Sequence, residues 1–299
     1  MFPKQLTPFI LTEKLPSADV LNQKLATMPF VPVTGLDWFS EGFTPPAAFS
    51  PDLVFAADKT VSVCLKRETK QIPSSALKEI LRERVADIET TQNRKVGRKE
   101  KQEIKEQIID ELLPKALSAS IYSHAVFNSQ FAFVYESSPK KAENVISKMR
   151  EALGGLACKT IQTKTPPKTA MTNWVLRGEV GIDLQLDNYC LLKGVGEVAP
   201  TIKIQNKDLN SDEVQQHIKN GLEVKELGLI WREKIAFVLT ENFTLKRIQF
   251  LDMLQQETEQ HGDDAASLQF AQQLISSANI TQLLNELILL CGDLNQDEF

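Results

Sequence analysis

The densest run of chemistry-bearing side chains lies between Arg94 and Lys105. There Arg94, Lys95, Arg98, Lys99, Lys101 and Lys105 stand against Glu100 and Glu103. Six cations against two carboxylates give a local charge of +4 in a chain of net −5, so everything outside this run carries −9. A positive cluster on an acidic chain is a place where a polyanion would be held. A second reading stays open, because Lys/Glu-rich helix faces are often plain solvated surface with weak i,i+4 pairs. Smaller basic groups occur at Lys140-Lys141, at Lys203 with Lys207, and at Lys246-Arg247. No zinc-finger spacing, RNA-recognition signature or basic zipper accompanies them. Any nucleic-acid contact would therefore fall on phosphates, tolerate any base sequence and weaken steeply with salt.

Catalytic chemistry finds less support. Lys193-Gly194-Val195-Gly196 lacks the third glycine of a dinucleotide loop and the Gly-Lys-Ser/Thr end of a phosphate loop, and reads as a turn. His124, His217 and His261 have no Cys or carboxylate at triad or metal spacing. Asp212-Glu213 and Asp263-Asp264 read as helix-start charges favoured by the helix dipole. Cys64, Cys158, Cys190 and Cys291 are far apart with no Cys-x-x-Cys, as expected of reduced, buried thiols in a cytosolic protein. Nothing assembles a nucleophile, a base and an oxyanion site. The expectation is a protein that is not an enzyme and uses no cofactor and no metal. Met1 to Lys14 has no apolar signal segment, and no window approaches the roughly 18 apolar residues of a membrane span. The chain reads as soluble and cytoplasmic, without a membrane partner.

The elements that must position these groups follow from periodicity. With 299 residues, 42% apolar and 24% charged, the chain suits about two globular domains. Phe9-Ile10-Leu11 suggests a strand, and Ser17 to Met28 a helix burying Val20, Leu21, Leu25 and Met28. Trp38-Phe39 and Phe43 fall in a loop with apolar side chains to bury, and Val61, Val63 and Leu65 alternate as a strand. From Ser74 to Leu117 the pattern predicts two helices joined by the basic elbow. Leu77, Ile80, Leu81, Val85 and Ile88 stripe the first, Gly97 marks the turn, and Ile104, Ile108 and Leu112 stripe the second up to Pro114. Helical spacing would pair Lys101 with Lys105, Arg94 with Arg98, and Lys95 with Lys99 on shared faces.

A strand pair and a helix follow, with Phe131, Phe133 and Tyr135 alternating and Val145, Ile146, Met149 and Leu153 striping a helix from Ser138-Pro139 to Gly154. Thr163 to Thr169 reads as a linker, with the main domain boundary near it. Beyond it come a short helix around Trp174 and strands over Ile182–Leu192 and Thr201–Ile204. Asn210 to Glu213 is a candidate capping box for a helix ending at Gly221. Val224–Trp231, Lys234–Thr240 and Phe243–Phe250 form an antiparallel meander, and the last fifty residues are helical.

Segments spread over nearly the whole chain resemble the bacterial RdgC family of recombination-associated proteins. The densest run is Asp208 to Gly221, followed by Leu227-Gly228-Leu229-Ile230-Trp231, Ile235 to Leu239 and Leu245-Lys246-Arg247-Ile248-Gln249-Phe250. Leu112-Leu113-Pro114-Lys115-Ala116, Pro139 to Glu143, Thr172 to Val175 and the elbow from Gly97 to Lys105 match as well.

The resemblance implies an α+β protomer, a multi-lobed horseshoe with antiparallel sheets, a protruding helical hairpin and C-terminal helices. Two protomers would close into a ring-shaped homodimer with a basic hole. By analogy, residues 1–73 and 118–165 form a central domain, 74–117 the hairpin tip, and 166–299 a base with the meander and C-terminal helices. Its partners would be double-stranded and single-stranded DNA, bound without sequence preference, and its effect a restraint on RecA-promoted strand exchange. It would act at the nucleoid. The DNA-binding residues so implied are the six elbow cations, Lys115, Lys203, Lys207, Lys246 and Arg247. Dimer contacts would fall on Leu113 and Leu117 at one end and on Ile280, Leu284 and Leu287 at the other. Leu117 stands where relatives often have an aromatic in the contact that closes the ring, and Gln205-Asn206 interrupt a run that is more basic in the family. The rival reading is a protein-interaction module without meaningful DNA affinity, and a cryptic nuclease or phosphotransfer activity is a third.

Overall fold

The computed structural model describes residues 2–194, 196, 199–251 and 264–295. Val195, His261 and Asp263, used above, lie outside the described residues. The first half of the chain runs β1 (Thr7–Leu11), α1 (Ala18–Leu25), β2 (Phe39–Thr44), β3 (Val54–Ala57), β4 (Thr60–Gln71), α2 (Ser74–Gln92) and α3 (Arg98–Leu112). A single 3-10 turn (Leu113–Lys115) leads to β5 (Leu117–Phe127), β6 (Phe131–Val134), α4 (Pro139–Leu153) and β7 (Cys158–Thr160). Then come α5 (Pro167–Arg177), β8 (Leu184–Lys193), β9 (Thr201–Gln205), α6 (Asp212–Lys219), β10 (Glu223–Trp231), β11 (Ile235–Thr240), β12 (Leu245–Phe250) and α7 (Ala265–Leu290). The fold is α+β with antiparallel pairing between these strands. It divides into two compact units, one of residues 1–25, 45–63 and 123–299, the other of residues 26–44 and 64–122.

In the first unit the meander forms as its three apolar runs predict. With β8 and β9 it makes a five-stranded sheet of order β12-β11-β10-β8-β9. Alternation puts Leu227, Leu229 and Trp231 of β10 into the core, where Leu239, Ile248, Leu283, Leu284 and Leu287 join them. Each fully buried side chain of this size contributes about 1.5–3 kcal/mol. Trp231, fully enclosed, donates its Nε1–H to Glu286 at 2.6 Å and so ties β10 to α7 through a polar bond as well as packing. Within the same unit β1 pairs with β6 and β7, and β6 pairs with the end of β5. Burial pushes the thiols of Cys158, Cys190 and Cys291 up to about 12. The same cause acts on Cys64 in the second unit, also to about 12. No helix of the described residues is long and apolar enough to cross a membrane.

In the second unit β4 lies between β2 and β5. Phe39 and Phe43, expected in a loop, stand in β2, paired with Thr69 and Leu65 of β4. Phe43 is buried, whereas Trp38 and Phe39 stay about half exposed, so not all of that apolar run is covered. Gly42 is obligatory, because a Cβ there would stand 2.5 Å from the Pro29 carbonyl oxygen. Two further local expectations change. Val20 of α1 faces outward while Leu21 and Leu25 are buried. At α6 the N-cap is Ser211, without a side-chain cap bond, and Asn210 instead donates its N–H to Asp208 Oδ1 at 2.9 Å, so no capping box forms.

Leu284→Ala should lower stability by about 2–5 kcal/mol, because Leu284 is fully buried. Leu289→Ala, at a position 71% exposed, should stay within about 0.5 kcal/mol. Urea unfolding of the two variants checks the contrast.

Candidate nucleic-acid interface

The α2–α3 hairpin carries its own small core. Leu77, Ile80, Leu81, Val85 and Ile88 of α2 pack on Val96, Ile104 and Ile108. Arg84 adds a bidentate pair with Glu111 across the two helices. α2 stops at Asn93, whose φ of 47° is left-handed, a conformation that asparagine tolerates. Gly97, expected at the turn, is instead the extended N-cap of α3. Because α3 begins only at Arg98, Arg94 and Lys95 lie in the connection. The shared helical faces expected for Arg94 with Arg98 and for Lys95 with Lys99 therefore do not form, and Lys101 and Lys105 do sit one turn apart.

Carboxylates sort the six cations into two sets. Arg94 donates to both oxygens of Glu100, at 2.6 and 2.5 Å. Lys95 donates to Glu89 at 3.0 Å, and the other oxygen of Glu89 accepts the Val96 N–H at 3.0 Å. Lys99 is 3.9 Å from Glu103. Arg98, Lys101 and Lys105 form no salt bridge among the described residues, although Lys101 stands close enough to Glu89 to help hold its carboxyl ionised. Their spacing of three and four residues puts them along one side of α3. The Val96 amide, with Lys95 behind it, holds the Glu89 carboxyl below the usual range. Arg94 does the same for Glu100, and Arg84 for Glu111. These carboxylates stay ionised at neutral pH, so the local cancellation persists, and of the six elbow cations Arg98, Lys101 and Lys105 are the ones left outside a salt bridge.

The other expected residues are placed unevenly. Lys115 is exposed on the 3-10 turn, and Leu117, at the start of β5, is 84% exposed. Leu113 is buried beside it. In the first unit Ile280, Leu284 and Leu287 are enclosed in the core of the chain, so Leu117 alone of the five expected dimer residues presents its side chain. Lys203 is exposed on β9, whereas Lys207 pairs with Glu213. Lys246 donates to Glu226 at 2.6 Å, and the Arg247 guanidinium lies 4.4 Å from the Tyr189 ring centroid. Sequence reasoning misses Tyr189 and Glu226. A signal for them existed, since Leu245 and Ile248, both buried, are three apart and break the two-residue period of a strand. It also misses the cation–aromatic contacts of the second unit, Lys66 over Phe30 at 4.0 Å and Arg67 over Phe39 at 3.8 Å.

His124 lies on β5 and His217 in the last turn of α6. Among the described residues no group of three or more His, Cys, Asp or Glu is placed to hold a metal ion.

Comparison with known proteins matches nearly the whole sequence. A family model described as "RdgC: Putative exonuclease, RdgC" matches residues 1–293. A protein of Neisseria meningitidis named recombination-associated protein RdgC is 50% identical over 98% of this chain and 99% of its own length. Proteins of the same name from Laribacter hongkongensis and Pseudomonas fluorescens are 38% and 32% identical, covering 98% and 89% of each chain.

The lowered carboxyl of Glu89 fixes the sign of a pH effect. A group whose folded pKa is depressed adds stability above its unfolded value, 4.5 here, and loses it as pH falls through the folded value. Amide-exchange protection of Val96, corrected for intrinsic rates, should therefore fall on acidification from about pH 6 to about pH 3. In Glu89→Ala it should be low and flat across that range.

Proposed function

The chain belongs to the RdgC family, and on that premise we propose that it binds DNA without reading base sequence and so modulates homologous recombination. Two protomers, each a horseshoe, close into a ring around the duplex. By occupying DNA that the recombinase needs, the ring restrains RecA-promoted strand exchange. It does so at the nucleoid, in the cytoplasm.

One observation carries the DNA contact: Arg98, Lys101 and Lys105 line one side of α3 outside any salt bridge among the described residues, on an elbow whose Arg94, Lys95 and Lys99 lie against Glu100, Glu89 and Glu103. Cations placed so displace condensed counterions from phosphates, and that release drives binding of any sequence. Lys115, on the adjoining turn, and Lys203 in the first unit are exposed and form no salt bridge among the described residues. The net −9 outside the elbow disfavours phosphate contact over most of the remaining surface. Exposed Leu117 supports a protomer contact at the foot of the hairpin. A second contact through the base falls to exposed side chains of α7 such as Leu289, since Ile280, Leu284 and Leu287 are enclosed.

A second reading has the family description behind it, that of an exonuclease acting on DNA ends. End-labelled linear duplex incubated with the protein and magnesium or manganese separates the two. DNA recovered at full length agrees with a binding protein, and metal-dependent shortening establishes the nuclease.

Replacing Arg98, Lys101 and Lys105 together with Ala should weaken unrelated duplexes alike. It should also make the slope of log K against log salt shallower by about 3, near 0.9 for each phosphate that is no longer neutralised. The same change at Arg94 and Lys95 should alter the slope far less. Binding with no salt dependence at all would contradict the phosphate contact, and no DNA binding at low salt would favour a protein-interaction module.

A further inference from the structure

The five-stranded sheet carries a pocket of about 200 Å³ on its open face, within the first unit, and nothing above assigns it a role. Strands β8 and β11 line it, and β10 passes between them with Gly228 opposite Val238. No side chain rises from β10 at that point. A Cβ on Gly228 would stand 3.1 Å from the Tyr189 Cβ and 3.2 Å from the Asp187 Cβ, tight enough to crowd the floor. The amides of Gln205, Asn206 and Gln249 stand around the rim.

Sheet irregularities converge here. The register of β10 on β8 shifts on either side of Glu226 and Leu227, and that of β11 on β12 shifts between Ala236 and Val238. Arg247 has a φ of 50°, uncommon for a side chain of its size in a strand. Such bulges re-aim side chains, and this one turns the guanidinium over the Tyr189 ring. The ring is fixed from beneath. Tyr189 is 7% exposed, its hydroxyl donates to Glu226 at 2.8 Å, and Glu226 takes Lys246 at 2.6 Å. One face of the guanidinium is thus stacked. Its other face and its N–H edge have no hydrogen-bond partner among the described residues.

We propose that this pocket receives one unpaired nucleobase of DNA, stacked on the free face of Arg247 and met at its edge by Gln205, Asn206 and Gln249. The chemistry is general. A guanidinium plane stacks on any base, and a carboxamide offers both a donor and an acceptor. Bases inside a duplex are already stacked and paired, so the pocket adds affinity for single strands alone. The proposal rests on the DNA-binding reading above and gives that reading a site selective for unpaired bases.

Fluorescence anisotropy of the full chain at one moderate salt concentration tests it with three probes: a thymidine oligomer of about 20 nucleotides, an abasic strand of equal length, and a duplex. Arg247→Gly removes the guanidinium and suits the positive φ, so it should melt no lower than the parent, while Arg247→Lys keeps the charge. Both should weaken the thymidine oligomer about tenfold and leave the abasic strand and the duplex within about twofold. An equal loss on the abasic strand, or parent-like binding by Arg247→Lys, would show a phosphate contact and overturn the base site. If the parent binds all three probes and Arg247→Gly changes none, the pocket inference alone falls. A parent that binds none removes the DNA reading and the pocket with it.

Discussion

Glu89 fixes the geometry of the basic elbow. One of its carboxylate oxygens accepts the Val96 amide and the other accepts Lys95. Those two bonds hold the connection between α2 and α3 in a single path and bring buried Val96 against Ile104 and Ile108. They also place Arg94 where Glu100 can take it by both oxygens. Such charge-assisted bonds are short and directional, which suits them to fixing a loop more than to adding stability at an exposed site. The outward charge of the elbow is set by what these carboxylates leave over. A sequence-level balance of +4 counts charges that cancel within a few ångströms, whereas phosphate responds to the cations that do not.

The first unit meets a different demand, the burial of one face of a five-stranded sheet. Trp231 and the lower half of α7 satisfy it together, with Glu286 binding the indole and, through Arg232, reaching back to Asp183. α7 is polar at the core near its start, where Gln273 donates to Thr60, and apolar further on. The opposite face of the sheet is free of that demand. There Gly228 and the bulged Arg247 have room for side-chain arrangements that a packed face would exclude.

Much of this was legible in the pattern of residues. The meander, the hairpin stripes and the α4 stripe all follow from periods of two and 3.6, because burial on one face writes itself into the chain. Less legible were features decided by single dihedral angles or by distant partners. Asn93 rather than Gly97 takes the left-handed turn, which moves Arg94 and Lys95 off the helix. Phe39 stands in a strand because β4 is there to pair with it. Ile280, Leu284 and Leu287 suit a core somewhat better than a partner on their pattern alone, and the sheet beside them decides for the core. At Arg247 the cation was visible, but the bulge that aims it at Tyr189 depends on register with β11.

A ring on DNA has a topological consequence that no open binder shares. Protein loaded on a closed circular duplex can be challenged with salt high enough to break phosphate contacts, in parallel with the same DNA cut once. The account predicts that protein remains on the circle and slides off the linear form, with retention restored when the linear ends are blocked. Equal release from circle and linear DNA would contradict encirclement.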